Sequence, residues 1–173
     1  WDGDDPTPLV LLSFSTVPEQ RDVAALQTAL DALAPLDVHV VATTGQVVAV
    51  DELAVPSNAY VVPFADHEAL LRRASLVVGH GGHGTTMRTL RAGVPLVAMP
   101  ATGADQAGMA AFVTSSGVGL GVERGVYAEA LRAAAAEVLR DPGYRARAGE
   151  VAELFVGRDG AVLGADAVES MLG

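Results

Sequence analysis

A short segment of the chain combines residue types that bind anions: His80-Gly81-Gly82-His83-Gly84-Thr85-Thr86. An apolar run before it, Ser75–Gly79, predicts a buried strand, and the pattern after it predicts a helix over Met87–Ala92 that ends at Gly93. A glycine-rich turn between a strand and a helix offers free backbone N–H groups and the positive end of the helix dipole. Histidine and threonine add hydrogen-bond donors. The segment therefore predicts a diphosphate site, with an ordinary tight strand-to-helix connection as the alternative.

Two further polar sets follow predicted strands. Asp105 and Gln106 precede a helix, and a carboxylate beside an amide suits the hydroxyls of a sugar. The alternative role for Asp105 is that of a helix cap. Ser13, Ser15 and Thr16 close the first strand, where their hydroxyls can donate to phosphate, with ordinary turn chemistry as the alternative.

The other imidazole and charged side chains predict structural or solvated roles. His39 lies within a strand and His67 at the start of a helix. Arg88 and Arg91 follow the glycine turn, and we expect them to form a charged outer helix face. Three acidic residues near the start of the chain are expected in a solvated linker: Asp2, Asp4 and Asp5.

Charge and composition exclude several classes of function. The chain has 173 residues, a formal net charge of −10 and no cysteine. The negative charge argues against nucleic acid and anionic membrane surfaces as partners, and no apolar run approaches the ~20 residues that span a bilayer. Without cysteine there are no disulfides and no thiol catalysis, and His80 and His83 lack the spacing of metal ligands. The chain is thus not expected to hold a metal. No signal peptide is visible, and we expect a cytoplasmic location and no cofactor.

The elements that position these residues alternate along the chain. Apolar runs predict six strands: Leu9–Phe14, Val38–Ala42, Ala59–Val62, Ser75–Gly79, Leu96–Met99 and Val118–Val122. Helical patterns fill the intervals and the tail: Pro18–Pro35, Asp66–Arg73, Gln106–Ser116, Tyr127–Arg140, Tyr144–Phe155 and Ala161–Leu172. This alternation predicts an α/β, Rossmann-like fold with a doubly wound parallel sheet. Each of the three polar sets follows the carboxyl end of a predicted strand, so all three fall on one rim of the sheet. Ligands of such sheets bind at this rim.

Four motifs in a fixed order carry a family resemblance: Gly79–Met87, Leu90–Pro95, Pro100 and Asp105-Gln106. The glycine turn is neither a Walker A loop nor a dinucleotide fingerprint, since it follows the fourth strand. The series resembles the donor-binding signature of GT-B fold nucleotide-sugar glycosyltransferases. It is most similar to bacterial antibiotic and macrolide glycosyltransferases, relatives of the UDP-glucuronosyltransferases. The resemblance implies that residues 9–173 are the C-terminal donor-binding half of a two-domain enzyme, with residues 1–8 as the interdomain linker.

The resemblance also implies which residues hold the donor. They are His80, Gly81, Gly82, Gly84, Thr85, Ser15 and Thr16 for the diphosphate, Asp105 and Gln106 for the sugar, and Val61 and Val62 for the nucleobase. Many relatives stack the base on a tryptophan where Val61 stands, and Tyr60 and Phe64 are the alternatives here. Plant and animal relatives often carry an acidic ribose ligand where Arg88 stands, so no ribose contact is implied.

The implied activity is an inverting transfer of a sugar from dTDP or UDP to a hydroxyl of a small-molecule natural product. The catalytic base and the acceptor site would lie in an absent N-terminal domain, so no catalytic residue is assigned and the isolated domain would be inactive. The alanine-rich composition, with arginine as its basic residue, is typical of a GC-rich actinobacterial source and favours a dTDP or UDP donor. Two alternatives stay open: a GT-B nucleotide-sugar epimerase and a stand-alone nucleotide-binding module.

Overall fold

A six-stranded parallel sheet forms the centre of the molecule. The computed structural model describes residues 5–14, 21–100, 104–123, 128–158 and 160–172. The strands, numbered along the chain, are β1 Leu9–Ser13, β2 His39–Thr43, β3 Ala59–Val62, β4 Ala74–Gly79, β5 Leu96–Ala98 and β6 Gly119–Gly121. They lie in the order β3-β2-β1-β4-β5-β6, which places the topological switch point between β1 and β4. The predicted α/β, Rossmann-like fold is confirmed.

Helices cover both faces of the sheet. Those in the described part of the chain are α1 Val23–Leu33, α2 His67–Leu71, α3 His83–Arg91, α4 Ala104–Ser115, α5 Ala128–Arg140, α6 Pro142–Glu153 and α7 Gly160–Leu172. Carboxylates cap several of them, because a side-chain oxygen can accept a hydrogen bond from an otherwise unpaired N–H of the first turn. Asp22 accepts from Ala25, and Asp66 accepts from Ala69.

Side chains that alternate along the strands divide the apolar interior into two layers. Val10 and Leu12 of β1 point into the layer beneath α1 and α5. Leu11 points the other way, into the layer shared with α3, α4 and α6. Strands buried on both faces carry continuous apolar runs, as parallel strands between helical layers do. The Leu9–Ser13 run therefore forms a strand that is buried along its whole length.

Most predicted element boundaries differ from the observed ones by one or two residues, but α3 begins at His83, four residues before the predicted start at Met87. The bounds of β3 are as predicted. Helix α4 begins at Ala104, so Asp105 lies inside the first turn and does not cap the helix. Helix α6 begins at Pro142, not at Tyr144, because Asp141 caps it and proline is compatible with a first helical turn. The predicted start of α1 at Pro18 falls outside the described residues.

The N-terminal segment is attached to the sheet. The Asp5 carboxylate lies 2.7 Å from Nε2 of His39 on β2 and accepts a hydrogen bond from the Thr7 N–H. These two contacts hold the pKa of Asp5 well below its usual range. The prediction of a purely solvated role for Asp5 is wrong, and the same prediction for Asp2 and Asp4 lies outside the described residues.

Helix α7 has no buried residue. Its large apolar side chains are more than half exposed, although such residues in a helix ordinarily pack against a partner surface: Val162, Leu163, Val168, Met171 and Leu172. None of the described helices combines the length and apolar character that crossing a bilayer requires.

Candidate functional site

The glycine turn is built on a close approach of two strand backbones. Gly79 ends β4 and pairs with Ser13 of β1. A Cβ on Gly79 would lie 2.6 Å from the Ser13 carbonyl oxygen, so only glycine fits. Gly81 then turns the chain with a φ of +78°, a left-handed conformation that glycine adopts without steric cost. This turn directs the chain into α3 at the carboxyl edge of the sheet.

His80 lies beneath the turn and is 8% exposed. Its ring stacks on Phe14 at a centroid distance of 6.2 Å, and a Cβ on Gly82 would collide with that ring. Burial lowers the pKa of His80, while the Ser13 backbone and the Asp105 charge oppose that effect. Its Nδ1 atom is buried and makes no hydrogen bond of normal geometry to another described residue. His80 therefore retains hydrogen-bonding capacity beside the turn.

The N-terminus of α3 carries no side-chain cap. Gly82 occupies the capping position, and the first turn contains no acidic residue. The first N–H groups of a helix have no acceptor within it, so those of His83, Gly84 and Thr85 can bind an external anion. The space around Gly84 is open, since a Cβ there would meet no atom within 4 Å.

The N-terminus of α4 reaches the same place. A Cβ on Gly81 would lie 3.2 Å from the Gln106 backbone carbonyl oxygen, so the turn and α4 lie side by side. The Gln106 side chain is 2% exposed, whereas Asp105 is exposed at the rim. The structure thus brings the glycine turn and the predicted sugar-binding pair together.

The structure describes both residues that are predicted to bind the nucleobase, but not the two hydroxyl residues after β1 that are predicted to bind phosphate. Val61 points into the apolar layer beneath α1 and is 8% exposed, and the Val62 carbonyl accepts a hydrogen bond from the Thr44 N–H at 3.0 Å. A base contact at these two positions stays a prediction that concerns backbone more than side chains. Ser15 and Thr16 lie outside the described residues.

A cavity of about 930 Å³ lies between α2 and α3. We call it the α2–α3 cavity. Its wall includes residues from the strand ends, from α2 and from the last turns of α3: Ser13, Thr43, Phe64, His67, Arg88 and Arg91. The two arginines are exposed, as predicted, but they border this cavity and not only an outer face. Their spacing of three residues places them on one side of a helix, which is the sequence signal that could have found them.

His67 connects the cavity wall to the sheet. Its Nε2 lies 3.0 Å from Oγ1 of Thr43 at the end of β2. Desolvation lowers the pKa of His67, and the charge of Arg88 lowers it further. The predicted structural role of His67 is therefore incomplete, because the same ring also faces the cavity.

Metal ligation is not indicated by the described residues, which contain no group of three or more suitable side chains. What the glycine turn and the two helix N-termini offer is a set of N–H donors, one buried imidazole and one exposed carboxylate. Such a set can hold a diphosphate and a hydroxylated group attached to it.

Comparisons with known proteins place the chain in a family and a fold. A family model described as the C-terminal domain of erythromycin biosynthesis protein CIII-like proteins matches residues 27–159. The chain is 31% identical over 169 residues to UDP-glycosyltransferase 2 of Phaeomoniella chlamydospora, covering 95% of this chain and 37% of that protein.

Two solved structures of glycosyltransferases share the fold. The calicheamicin glycosyltransferase CalG4 superimposes with a TM-score of 0.83 at 25% identity, over 100% of this chain and 44% of that one. Glycosyltransferase VinC, solved in complex with dTDP, superimposes with a TM-score of 0.78 at 25% identity, over 98% and 43% of the two chains. The chain thus spans less than half the length of each protein named here.

Proposed function

Because this chain belongs to the family of erythromycin biosynthesis protein CIII-like C-terminal domains, a group with GT-B glycosyltransferase relatives, we propose that it binds the nucleoside diphosphate sugar of an inverting transfer. The donor would carry dTDP or UDP, and the acceptor would be a hydroxyl of a small-molecule natural product. The observation that carries this proposal is the uncapped N-terminus of α3 above the buried His80.

Charge development at the leaving group explains why this geometry suits the reaction. When the bond between the sugar and the diphosphate breaks, negative charge grows on the diphosphate oxygens. Preorganised N–H donors and a helix dipole stabilise such charge without reorganising. His80 adds a donor in a site that is largely shielded from water, where a hydrogen bond to a charged group is worth more than in bulk solvent. The arrangement would therefore stabilise the transition state more than the intact donor.

The sugar would lie over the N-terminus of α4. The exposed Asp105 carboxylate accepts hydrogen bonds from hydroxyls, while the Gln106 side chain is nearly buried and its backbone borders Gly81. Asp105 is thus the stronger candidate of the pair for direct contact. The acceptor hydroxyl and the base that deprotonates it would come from a second domain, and the domain described here would be inactive alone. Among the described residues, nothing specifically favours the epimerase or the stand-alone module.

A calorimetric titration of the chain with dTDP and UDP tests the proposal. We expect binding of at least one at millimolar concentration or below. Replacing His80 with Ala should weaken dTDP or UDP binding by about tenfold or more, since hydrogen bonds to charged groups contribute about 1.5–3 kcal/mol. The free nucleoside should bind the variant as it binds the wild type.

His39→Gln is the matched control. It changes a histidine at the opposite end of the strands, and diphosphate binding should not respond. A folded wild-type chain that binds neither nucleotide would overturn the proposal, as would a His80→Ala variant with unchanged affinity.

A further inference from the structure

The buried imidazole of His80 lies against the uncapped N-terminus of α3. Its Nε2 is the first atom that a Cβ on the capping residue, Gly82, would meet. The ring also stacks on Phe14, and only 8% of the residue is exposed. A ligand bound to the free N–H groups of α3 would therefore lie beside an imidazole that water barely reaches.

This surrounding favours an uncharged ring in the free protein. Burial lowers the pKa of His80, because an imidazolium loses its hydration there. The free N–H groups at the start of α3 carry partial positive charge, which disfavours a cation beside them. A buried cation is costly unless an opposite charge pairs with it.

Few charged groups of the described residues face the ring. On β1, Ser13 and Phe14 have no charge, although the Ser13 backbone favours the protonated ring. On α4, the exposed Asp105 carboxylate also favours it, and burial opposes both effects. The first turn of α3 adds one titratable side chain, the exposed His83.

The ring has an unused position for a second proton. Nδ1 of His80 is buried and has no hydrogen-bond partner of normal geometry among the described residues. A neutral imidazole carries one N–H, whereas an imidazolium donates from both nitrogens. An opposite charge within about 4–6 Å favours the charged form of a titratable group, and the diphosphate of a nucleotide sugar carries two such charges.

We propose that the diphosphate site takes up a proton together with its ligand: His80 is neutral in the free protein and becomes an imidazolium when a nucleoside diphosphate sugar binds. This inference rests on the proposed function. The proton comes from solvent and adds to the lone pair of the neutral ring, and no other bond forms or breaks. The site thus acquires a full positive charge only when an anion is present to pair with it.

Proton uptake fixes the sign of the pH dependence. Because the pKa of His80 would be higher in the complex than in the free protein, affinity is greatest at low pH and falls as pH rises through the pKa of the complex. We expect the wild-type chain to bind UDP-glucose or dTDP-glucose at least about tenfold more weakly at pH 8 than at pH 6.

Calorimetric titration counts the protons directly. Performed in buffers that differ in ionisation enthalpy, it should show uptake of about 0.5–1 proton per ligand near pH 7.5. Nucleotide sugars are the probes of choice, since both of their phosphates stay ionised at these pH values. The terminal phosphate of UDP itself titrates near pH 6 and would obscure the count.

His80→Gln keeps an N–H donor but cannot ionise. Its proton uptake should be close to zero, and its affinity should be nearly independent of pH. His39→Gln is the matched control, at the opposite end of the strands, and should take up protons as the wild type does. His67→Gln and His83→Gln should do so too, and loss of uptake in either one would assign the proton to that residue and overturn the inference.

Nuclear magnetic resonance of the wild-type chain keeps the test independent of the folding of His80→Gln. The chain has four histidines, so the variants of the other three assign the His80 signal by elimination. Its Cε1–H chemical shift at pH 7 should be that of a neutral ring in the free protein and that of an imidazolium in the complex. The same charge state in both would overturn the inference.

The outcomes separate this inference from the proposed function. If a nucleotide sugar binds and His80→Ala weakens it, but no proton is taken up between pH 6 and pH 8, the function stands and the proton uptake is wrong. A folded wild-type chain that binds neither nucleotide sugar and neither nucleotide removes both.

Discussion

Alanine at two positions of the glycine turn should change the melting temperature in opposite directions, although both variants should bind a diphosphate more weakly. Gly81 has a φ of +78°, and a Cβ there would lie 3.2 Å from the Gln106 carbonyl oxygen. A left-handed conformation costs a residue with a Cβ about 1–2 kcal/mol. For a chain of this length, 1 kcal/mol lowers the melting temperature by about 2–4 °C, so Gly81→Ala should lose about 2–8 °C. Diphosphate binding should weaken with it, because the turn must shift.

Gly84→Ala should stabilise the protein and still impair binding. Gly84 lies in the first turn of α3, and a Cβ there meets no atom within 4 Å. Alanine in a helix is favoured over glycine by up to about 0.5–1 kcal/mol, which raises the melting temperature by about 1–4 °C. The new methyl group would occupy the open space through which an anion approaches. We expect binding of dTDP or UDP to weaken about tenfold, equivalent to about 1.4 kcal/mol.

Thermal melts and titrations of the two variants form the assay. The decisive result is the sign pattern: both quantities fall for Gly81→Ala, whereas stability rises and affinity falls for Gly84→Ala. If Gly84→Ala is more stable and binds as well as the wild type, the ligand does not approach α3 at this point. If Gly81→Ala melts as the wild type does, the conformational argument for the turn is wrong.

Two more predictions concern stability. Gly119→Ala should cost about 1–3 kcal/mol, as overpacking does, because a Cβ would overlap the Leu96 carbonyl on β5; a chemical denaturation curve measures this, and an unchanged midpoint would contradict it. The pKa values of His67 and His80 are lowered in the folded state, so the unfolded chain takes up protons more readily and stability should fall as pH drops below about 6.5. The melting temperature of the wild type should therefore fall between pH 7.5 and pH 5.5. A melting temperature that stays constant over this range would contradict the prediction. An equal fall in a His67→Gln, His80→Gln double variant would contradict it as well.

Sequence reasoning was most successful where structure is set locally. The apolar runs predicted six strands, and Asp66 predicted the cap of α2. The glycine turn predicted a helix start, and the structure places the N-terminus of α3 beside that of α4, whose first turn carries Asp105. The anion-binding role of this helix start stays a prediction. These features depend on a few consecutive residues, whose individual conformational preferences all favour the same local structure.

Features that arise from contacts between distant segments were harder to predict. The cavity forms where α2 and α3 meet the ends of three strands. The order of residues along the chain therefore could not predict that Arg88 lies near His67. Val61 was also ambiguous, since the apolar run of β3 does not reveal which face each side chain takes. The pairing of β3 with β2 decides it, and Val61 turns inward opposite Ala42.

The contact between Gly79 and Ser13 has a mechanical consequence. A Cβ on Gly79 would lie 2.6 Å from the Ser13 carbonyl oxygen, so the paired ends of β1 and β4 are already in close contact and cannot move nearer to each other. Close-packed interiors resist deformation and transmit displacement. The centre of the sheet is therefore a stiff support for the proposed diphosphate site, and we expect any movement on ligand binding to occur in the surrounding loops and helices.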